Sequence, residues 1–353
     1  MKRDNYIDFL RGIAALSVVF IHTCFWSGYS YTPELMQTLS LAIDVPFFFF
    51  LSGWSSAYVD SFERSIRSLL NIYKKYVMFL PFFFLILLIF GFFIKQYPGL
   101  SLRSLYGNLF FIAEEPNALS GVMGSMWFMP VYLAVVPIGR LVTTKLMPSH
   151  TGGGGYIPLT VTFLGLLYSY WTGSFFHLSS NTLFYLFFFF LGAACKDLRI
   201  RKFKTVMFFC LVDIAVMKLI GVCCGWDISN MQNMKFPPSI IYLLYSLLWI
   251  SVTLWGKDKI RDISADHVLC RIGRAAILFY FCQGISGALL GYLVPKINLV
   301  WELKLPIAFS VNLTGTIILV ILLKRFYGIE EFLAAQLKKF FRVFCGDNPN
   351  RTG

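Results

Sequence analysis

The sequence predicts an all-α protein, a polytopic transmembrane bundle of about ten helical spans with both termini cytoplasmic. Three observations lead there. Hydrophobic residues fill 57% of the 353 positions and charged residues only 14%, well below the roughly one quarter usual in soluble domains. Apolar runs of about 20 residues, long enough to cross a hydrocarbon core, recur along nearly the whole chain and leave no room for a separate soluble domain. Lysines and arginines crowd into alternate connections, about 25 on the side of the N-terminus and about five on the other, which is the bias that orients membrane proteins.

Taken in order, the expected spans lie at about 7–29, 39–59, 76–94, 124–140, 156–173, 181–195, 205–224, 238–255, 275–294 and 305–323. The first follows Lys2 and Arg3 as a secretory signal would. It ends, however, in the aromatic-rich "HTCFWSGYSY" instead of the small residues of a cleavage site, and so reads as a retained span. Arg64, Arg67, Lys74 and Lys75 follow the second span, "CKDLRIRKFK" the sixth, and "GKDKIRDISADHVLCRIGR" the eighth. These are the expected cytoplasmic loops. Between the third and fourth spans, "LYGNLFFIA" is too short to cross and is expected at the outer interface or re-entering the membrane. Glycines 152–155 make a flexible turn. Beyond Arg325, "GIEEFLAAQLKKFFRVFCG" sets Phe332, Leu333, Leu337, Phe340, Phe341 and Phe344 at helical spacing. The chain thus divides into a membrane domain, 1–325, and a cytoplasmic amphipathic tail, 326–353, expected along the inner leaflet.

Charge and cysteine usage narrow the function classes. The net charge of +13 follows from basic loops that alternate along the chain, so no nucleic-acid partner is expected. The eight cysteines show no CxxC pair and no regular spacing, which argues against a disulfide framework and against zinc; no metal is expected. No HExxH, P-loop, GxSxG or GxGxxG pattern occurs in a usable context.

Polar residues within the apolar runs carry the remaining signal, because an ionised side chain at mid-membrane costs several kcal/mol on insertion scales and persists mainly when paired or lining a polar cavity. Arg11 and His22 in "FLRGIAALSVVFIHTCFW" are eleven positions apart, three helical turns plus about 20°, so they share a face roughly 16 Å in length. Asp8 and Ala15 lie on the same face. The second span carries Asp44 in "LAIDVPFFFFLSGW", at about the depth His22 reaches from the other side. A carboxylate bonded to one ring nitrogen would orient the imidazole and leave the other nitrogen to take a proton from a hydroxyl. His22 is therefore the candidate general base and Asp44 its orienter; a hydrogen bond that merely ties two helices together is the competing reading. Arg64 and Arg67, three apart just inside the membrane, form a forked donor surface suited to phosphates, or else ordinary topology-setting charge. Asp213 and Lys218 are expected to make a structural ion pair. Gln283 faces the same cavity or a helix contact. Trp127, Trp26 and Tyr29, near the outer end, suit sugar stacking or interface anchoring.

These pieces together resemble a known family. "YIDFLRGIAALSVVFIH" with its Arg-x10-His spacing, "DVPFFFFLSGW", the Arg64-x-x-Arg67 pair, "WFMPVYL" at 127–133 and "IGRAAILFYFCQ" at 272–283 are similar to motifs of the membrane-bound acyltransferase type 3 family, from residue 6 to about 325. The resemblance implies a ten-helix bundle in a bacterial cell membrane. It further implies transfer of an acyl group, usually acetyl, from cytoplasmic acyl-coenzyme A (acyl-CoA) to a sugar hydroxyl of a surface glycan. Acyl-CoA would be a donor substrate, with no permanently bound cofactor. By position, Arg11 and His22 correspond to the family's essential pair, and Arg64 and Arg67 to the pair that engages the donor. Two departures stand out. Many relatives carry "SLWSLSVEEQ" where this chain has "SMWFMPVYL", which removes the glutamates, and a histidine often stands where this chain has Gln283. The SGNH esterase-like domain fused to some members is not expected here, so a covalent relay through it would need a separate protein.

The expected function is polysaccharide O-acetylation, with catalytic His22, Asp44 and Arg11; donor-binding Arg64, Arg67 and Arg11; and acceptor-binding Trp127, Trp26 and Gln283. Polysaccharide-biosynthesis machinery is a conceivable partner besides the bilayer. The rival from another class is an exporter or flippase of a polysaccharide or lipid-linked sugar, for which the intramembrane charges line a path. A purely structural assembly subunit is the third reading.

Overall fold

The computed structural model describes residues 4–25, 31–58, 61–95, 102–112, 119, 121–146, 156–172, 177–198, 200–257, 259–260 and 262–344. Among the described residues there is no strand. The helices are α1 (Asn5–Phe25), α2 (Glu34–Ser40), α3 (Val45–Ser56), α4 (Phe62–Ile94), α5 (Leu102–Leu109), α6 (Val122–Ser125), α7 (Phe128–Leu146), α8 (Tyr156–Thr172), α9 (His177–Ala194), α10 (Phe203–Cys224), α11 (Ile240–Gly256), α12 (Val268–Arg274), α13 (Ala276–Leu293) and α14 (Trp301–Phe344). Seven helical segments among the described residues are long and apolar enough to cross a membrane: α1, α2 with α3, α4, α6 with α7, α10, α13 and α14. The shorter α8, α9 and α11 occupy the positions of the other three expected spans. Helix α10 presents Phe208, Leu211, Leu219 and Val222 outward; an apolar face of that size on a helix of this length is a surface for lipid. The chain is a membrane protein.

Two glycine crossings set the helix packing. A Cβ on Gly273 would stand 1.8 Å from the Asp8 carbonyl oxygen, and one on Gly12 would stand 2.0 Å from that of Leu269. Helices α1 and α12 therefore touch backbone to backbone. The same holds for α3 and α9, where Gly53 meets the Phe189 carbonyl and Gly192 that of Phe50. Small residues at such crossings replace the hydrophobic drive that lipid does not supply. Helices α3, α9 and α11 share an aromatic core in which Phe49 stacks on Tyr185 at 4.6 Å and Phe184 on Tyr242 at 5.6 Å.

Three features depart from the sequence expectation. The second span is broken: α2 ends at Ser40 and α3 starts at Val45 with Pro46 in its first turn, so Asp44 stands at a helix break. "HVLCRIGR", expected in a loop, forms the short α12 because Gly273 and Gly12 let it lie directly on α1. Asp213 and Lys218 make no ion pair among the described residues; five positions on a helix turn them about 140° apart. Apart from these, helix α14 continues through the 325/326 boundary to Phe344 without interruption.

The re-entrant alternative holds for "LYGNLFFIA". Helix α5 turns back into the bundle, and its terminal carbonyls on Asn108 and Leu109 accept hydrogen bonds from Tyr76 (2.7 Å) and Tyr73 (3.0 Å), far along α4 from Ile94. Irregular backbone at that depth is tolerated only when its polar groups are satisfied in this way.

The two ends of the bundle differ. At one, here the basic end, the start of α1 meets the last turn of α11 and the segment after it: Tyr6 Oη donates to the Thr253 carbonyl at 2.8 Å and Asn5 Nδ2 to that of Ile263 at 3.0 Å. At the other, the loop after α10 and the start of α11 are strapped across α2. Tyr245 Oη donates to the Thr38 carbonyl at 2.7 Å, the Met231 amide to Thr38 Oγ1 at 3.2 Å, and Thr38 Oγ1 to the Ser229 carbonyl.

Candidate functional site

A cavity of about 390 Å³ runs along α1 from the basic end into the bundle. Its α1 wall carries Arg11, Val18, Ile21 and His22. These positions share a face, as helical periodicity requires. The helix break and α3 add Asp44, Phe48 and Ser52; α4 adds Ser68, Ile72 and Lys75; and α13 adds Ala276, Ile277 and Tyr280. Arg11, Lys75 and Arg274 make the mouth cationic, while His22, Asp44, Trp127 and Lys235 line the cavity farther along. Eleven residues of α1 separate the two groups, roughly 16 Å.

At the mouth, Arg11 Nη2 donates to Ser55 Oγ at 2.9 Å, and its Nη1 lies 3.7 Å from Asp8 Oδ1. Asp8 is buried while the Arg11 side chain remains 30% exposed, so the guanidinium is steered yet open to an anion. Deeper in, Asp44 does not cap α3 with its side chain. Its Oδ2 accepts from Tyr242 Oη at 2.7 Å and lies 2.7 Å from Lys235 Nζ. Lys235 is 6% exposed, and its ammonium sits 5.5 Å from the Trp127 ring centroid and 5.4 Å from that of Phe236. His22 lies within electrostatic range of both Asp44 and Lys235.

The structure thus brings Arg11, His22, Asp44 and Trp127 to one cavity. The expected direct bond between Asp44 and His22 is replaced: the carboxylate's hydrogen bonds go to Lys235 and Tyr242, because the loop after α10 delivers Lys235 to the helix break. Arg64 and Arg67 lie outside the cavity lining, on the exposed first turns of α4, where Arg67 pairs with Glu63 at 2.5 Å. Gln283 is fully buried and donates to the carbonyl of Tyr280 at 3.2 Å; Tyr280, one turn earlier, lines the cavity in its stead. Trp26 and Tyr29 lie outside the described residues. His267 caps α12 by accepting from the Leu269 amide at 3.3 Å. Among the described residues no cluster of three or more His, Cys, Asp or Glu could hold a metal ion.

Sequence reasoning missed Lys235, Tyr242, Lys75 and Arg274 as site residues. Lys235 left a usable trace, a lysine in a nearly uncharged outer loop beside "FPP". The positive-inside bias gives such a residue no topological reason to be there. Arg140 was missed as well, and its role is structural: buried in α7, it donates to the Ser56 carbonyl and so satisfies the end of α3.

The all-helical membrane fold agrees with the outcome of sequence comparison. An acyltransferase-domain family profile matches residues 4–325, nearly the whole chain. No curated protein and no solved structure matches it. The matched segment contains every helix that lines the cavity, and the chain belongs to the acyltransferase 3 family.

Proposed function

We propose that this membrane acyltransferase moves an acyl group, most simply acetyl, from acyl-CoA at the basic end of the bundle to a hydroxyl of a glycan reached from the opposite end. The lysine and arginine bias puts the basic end in the cytoplasm, and the family resemblance puts the protein in a bacterial plasma membrane. One observation carries the reading: one cavity joins a cationic mouth to a deeper wall that holds an imidazole, a carboxylate and an ammonium. Coenzyme A is polyanionic at one end and slim at the other. Its phosphates suit Arg11, Lys75 and Arg274, with Arg64 and Arg67 extending the basic surface outside the mouth. The pantetheine arm then carries the thioester toward His22. There His22 takes the proton of the acceptor hydroxyl, Asp44 holds Lys235 and stabilises the positive charge that develops on the ring, and Trp127 offers an apolar face to a sugar.

Proteoliposomes given acyl-CoA provide the test. Coenzyme A release, with acyl transfer when a glycan acceptor is supplied, is the expected result. Glycan flux without thioester loss would instead establish an exporter, a reading favoured by the broken second span, since discontinuous helices mark many transporter sites.

A further inference from the structure

Lys235 is an expensive residue in its setting. Burying an ammonium costs several kcal/mol even when it is paired, and the aromatic residues around it would pack as well against an aliphatic chain. Its side chain nevertheless turns inward from the loop after α10, which is strapped to α2 through Thr38, Ser229 and Met231. The ammonium is fixed from three directions, by Asp44 Oδ2 at 2.7 Å and by the Trp127 and Phe236 rings. An ammonium has three N–H donors, and Asp44 is the one hydrogen-bond acceptor of Lys235 Nζ among the described residues. The same side chain lines the cavity that His22 lines. A donor that is rigid, charged and partly uncommitted beside the candidate base is what a developing oxyanion requires, because such a group needs no reorganisation during the reaction.

We propose that Lys235 is a further catalytic residue, the donor that binds the thioester carbonyl oxygen as it becomes an oxyanion. This rests on the acyltransferase reading above. In the step, His22 takes the hydroxyl proton and the hydroxyl oxygen bonds to the carbonyl carbon. The carbonyl π electrons move onto oxygen, where Lys235 Nζ–H stabilises them. Collapse breaks the C–S bond, and the coenzyme A thiolate leaves with the proton held by His22. Asp44 acts on this step as a positioning residue through Lys235.

The test follows coenzyme A release from acetyl-CoA by the full-length protein in proteoliposomes, with water as acceptor. Lys235→Met, which keeps the length of the stem, is expected to lower kcat about 100-fold. KM for acetyl-CoA should stay within about twofold, the pattern of an interaction made only in the transition state. Lys235→Arg should keep part of the rate. If Lys235→Met fails to fold, the pair Lys235→Met/Asp44→Asn removes both charges, and its rate relative to Asp44→Asn alone decides: a further large drop supports the assignment. A folded Lys235→Met protein with the wild-type kcat, or a double variant as fast as Asp44→Asn, overturns it and leaves the acyltransferase reading intact. A wild-type protein that never releases coenzyme A overturns the reading beneath it.

Discussion

Replacing Gly273 with alanine probes how fold and site are joined. A Cβ there would stand 1.8 Å from the Asp8 carbonyl oxygen, about 1.5 Å short of an ordinary carbon–oxygen contact. The obstacle is backbone, so α12 must back away from α1 by roughly that distance or tilt. Overpacking of this kind costs about 1–3 kcal/mol. Arg274 adjoins the new methyl and Arg11 lies one turn from Asp8, so two of the three mouth cations move apart with the helices. A misplacement of about 1 Å can cost on the order of 100-fold in rate. Gly273→Ala should therefore lower kcat/KM for acyl-CoA by about 10- to 100-fold, mainly through KM, and lower the melting temperature in detergent by several degrees. Gly328→Ala is the control, because nothing lies within 4 Å of its Cβ position on α14; it should leave both quantities unchanged or raise stability slightly. Wild-type kinetics and melting in Gly273→Ala would refute the claim that this crossing sets the geometry of the mouth.

Other substitutions sort the site residues by role. Removal of the candidate base by His22→Asn should reduce acyl transfer by a factor of about 100 to 10,000 at normal protein levels, measured by acylated product. Tyr242→Phe deletes one of the two donors to Asp44 and should cost about 1 kcal/mol in stability, read by denaturation in detergent, with a smaller loss of rate than Lys235→Met. Lys75→Met should raise KM for acyl-CoA more than Arg67→Gln, because Lys75 lines the cavity while Arg67 is 74% exposed and already paired with Glu63. Stability should change by less than about 0.5 kcal/mol in Arg67→Gln, as expected of an exposed ion pair.

Local periodicity made part of this structure legible in the sequence. Arg11 and His22 share a face because helical spacing is a property of one segment, and both do line the cavity. The all-helical fold followed equally directly from apolar run length. What failed was tertiary. The break between Ser40 and Val45 leaves no strong local signal beyond Pro46, and the approach of Lys235 to Asp44 depends on how a loop nearly 200 residues away is strapped over that break. The spacing of Arg64 and Arg67 left a phosphate fork and ordinary topology-setting charge equally open, and the donor assignment came from the family resemblance. Which way the first turns of α4 face is decided by Ser68, Ile72 and Lys75, which take the cavity side. Gln283 missed the cavity by one turn of α13, a difference that a polar residue in an apolar run does not encode.

The most direct test supplies labelled acetyl-CoA to cells or vesicles only on the cytoplasmic side and measures acetyl groups on glycan hydroxyls at the other face. Wild-type protein should deliver label across the membrane and His22→Asn should deliver none. Label that crosses equally well without the imidazole, or that never leaves the donor side, would contradict a reaction centre at the deep end of this cavity.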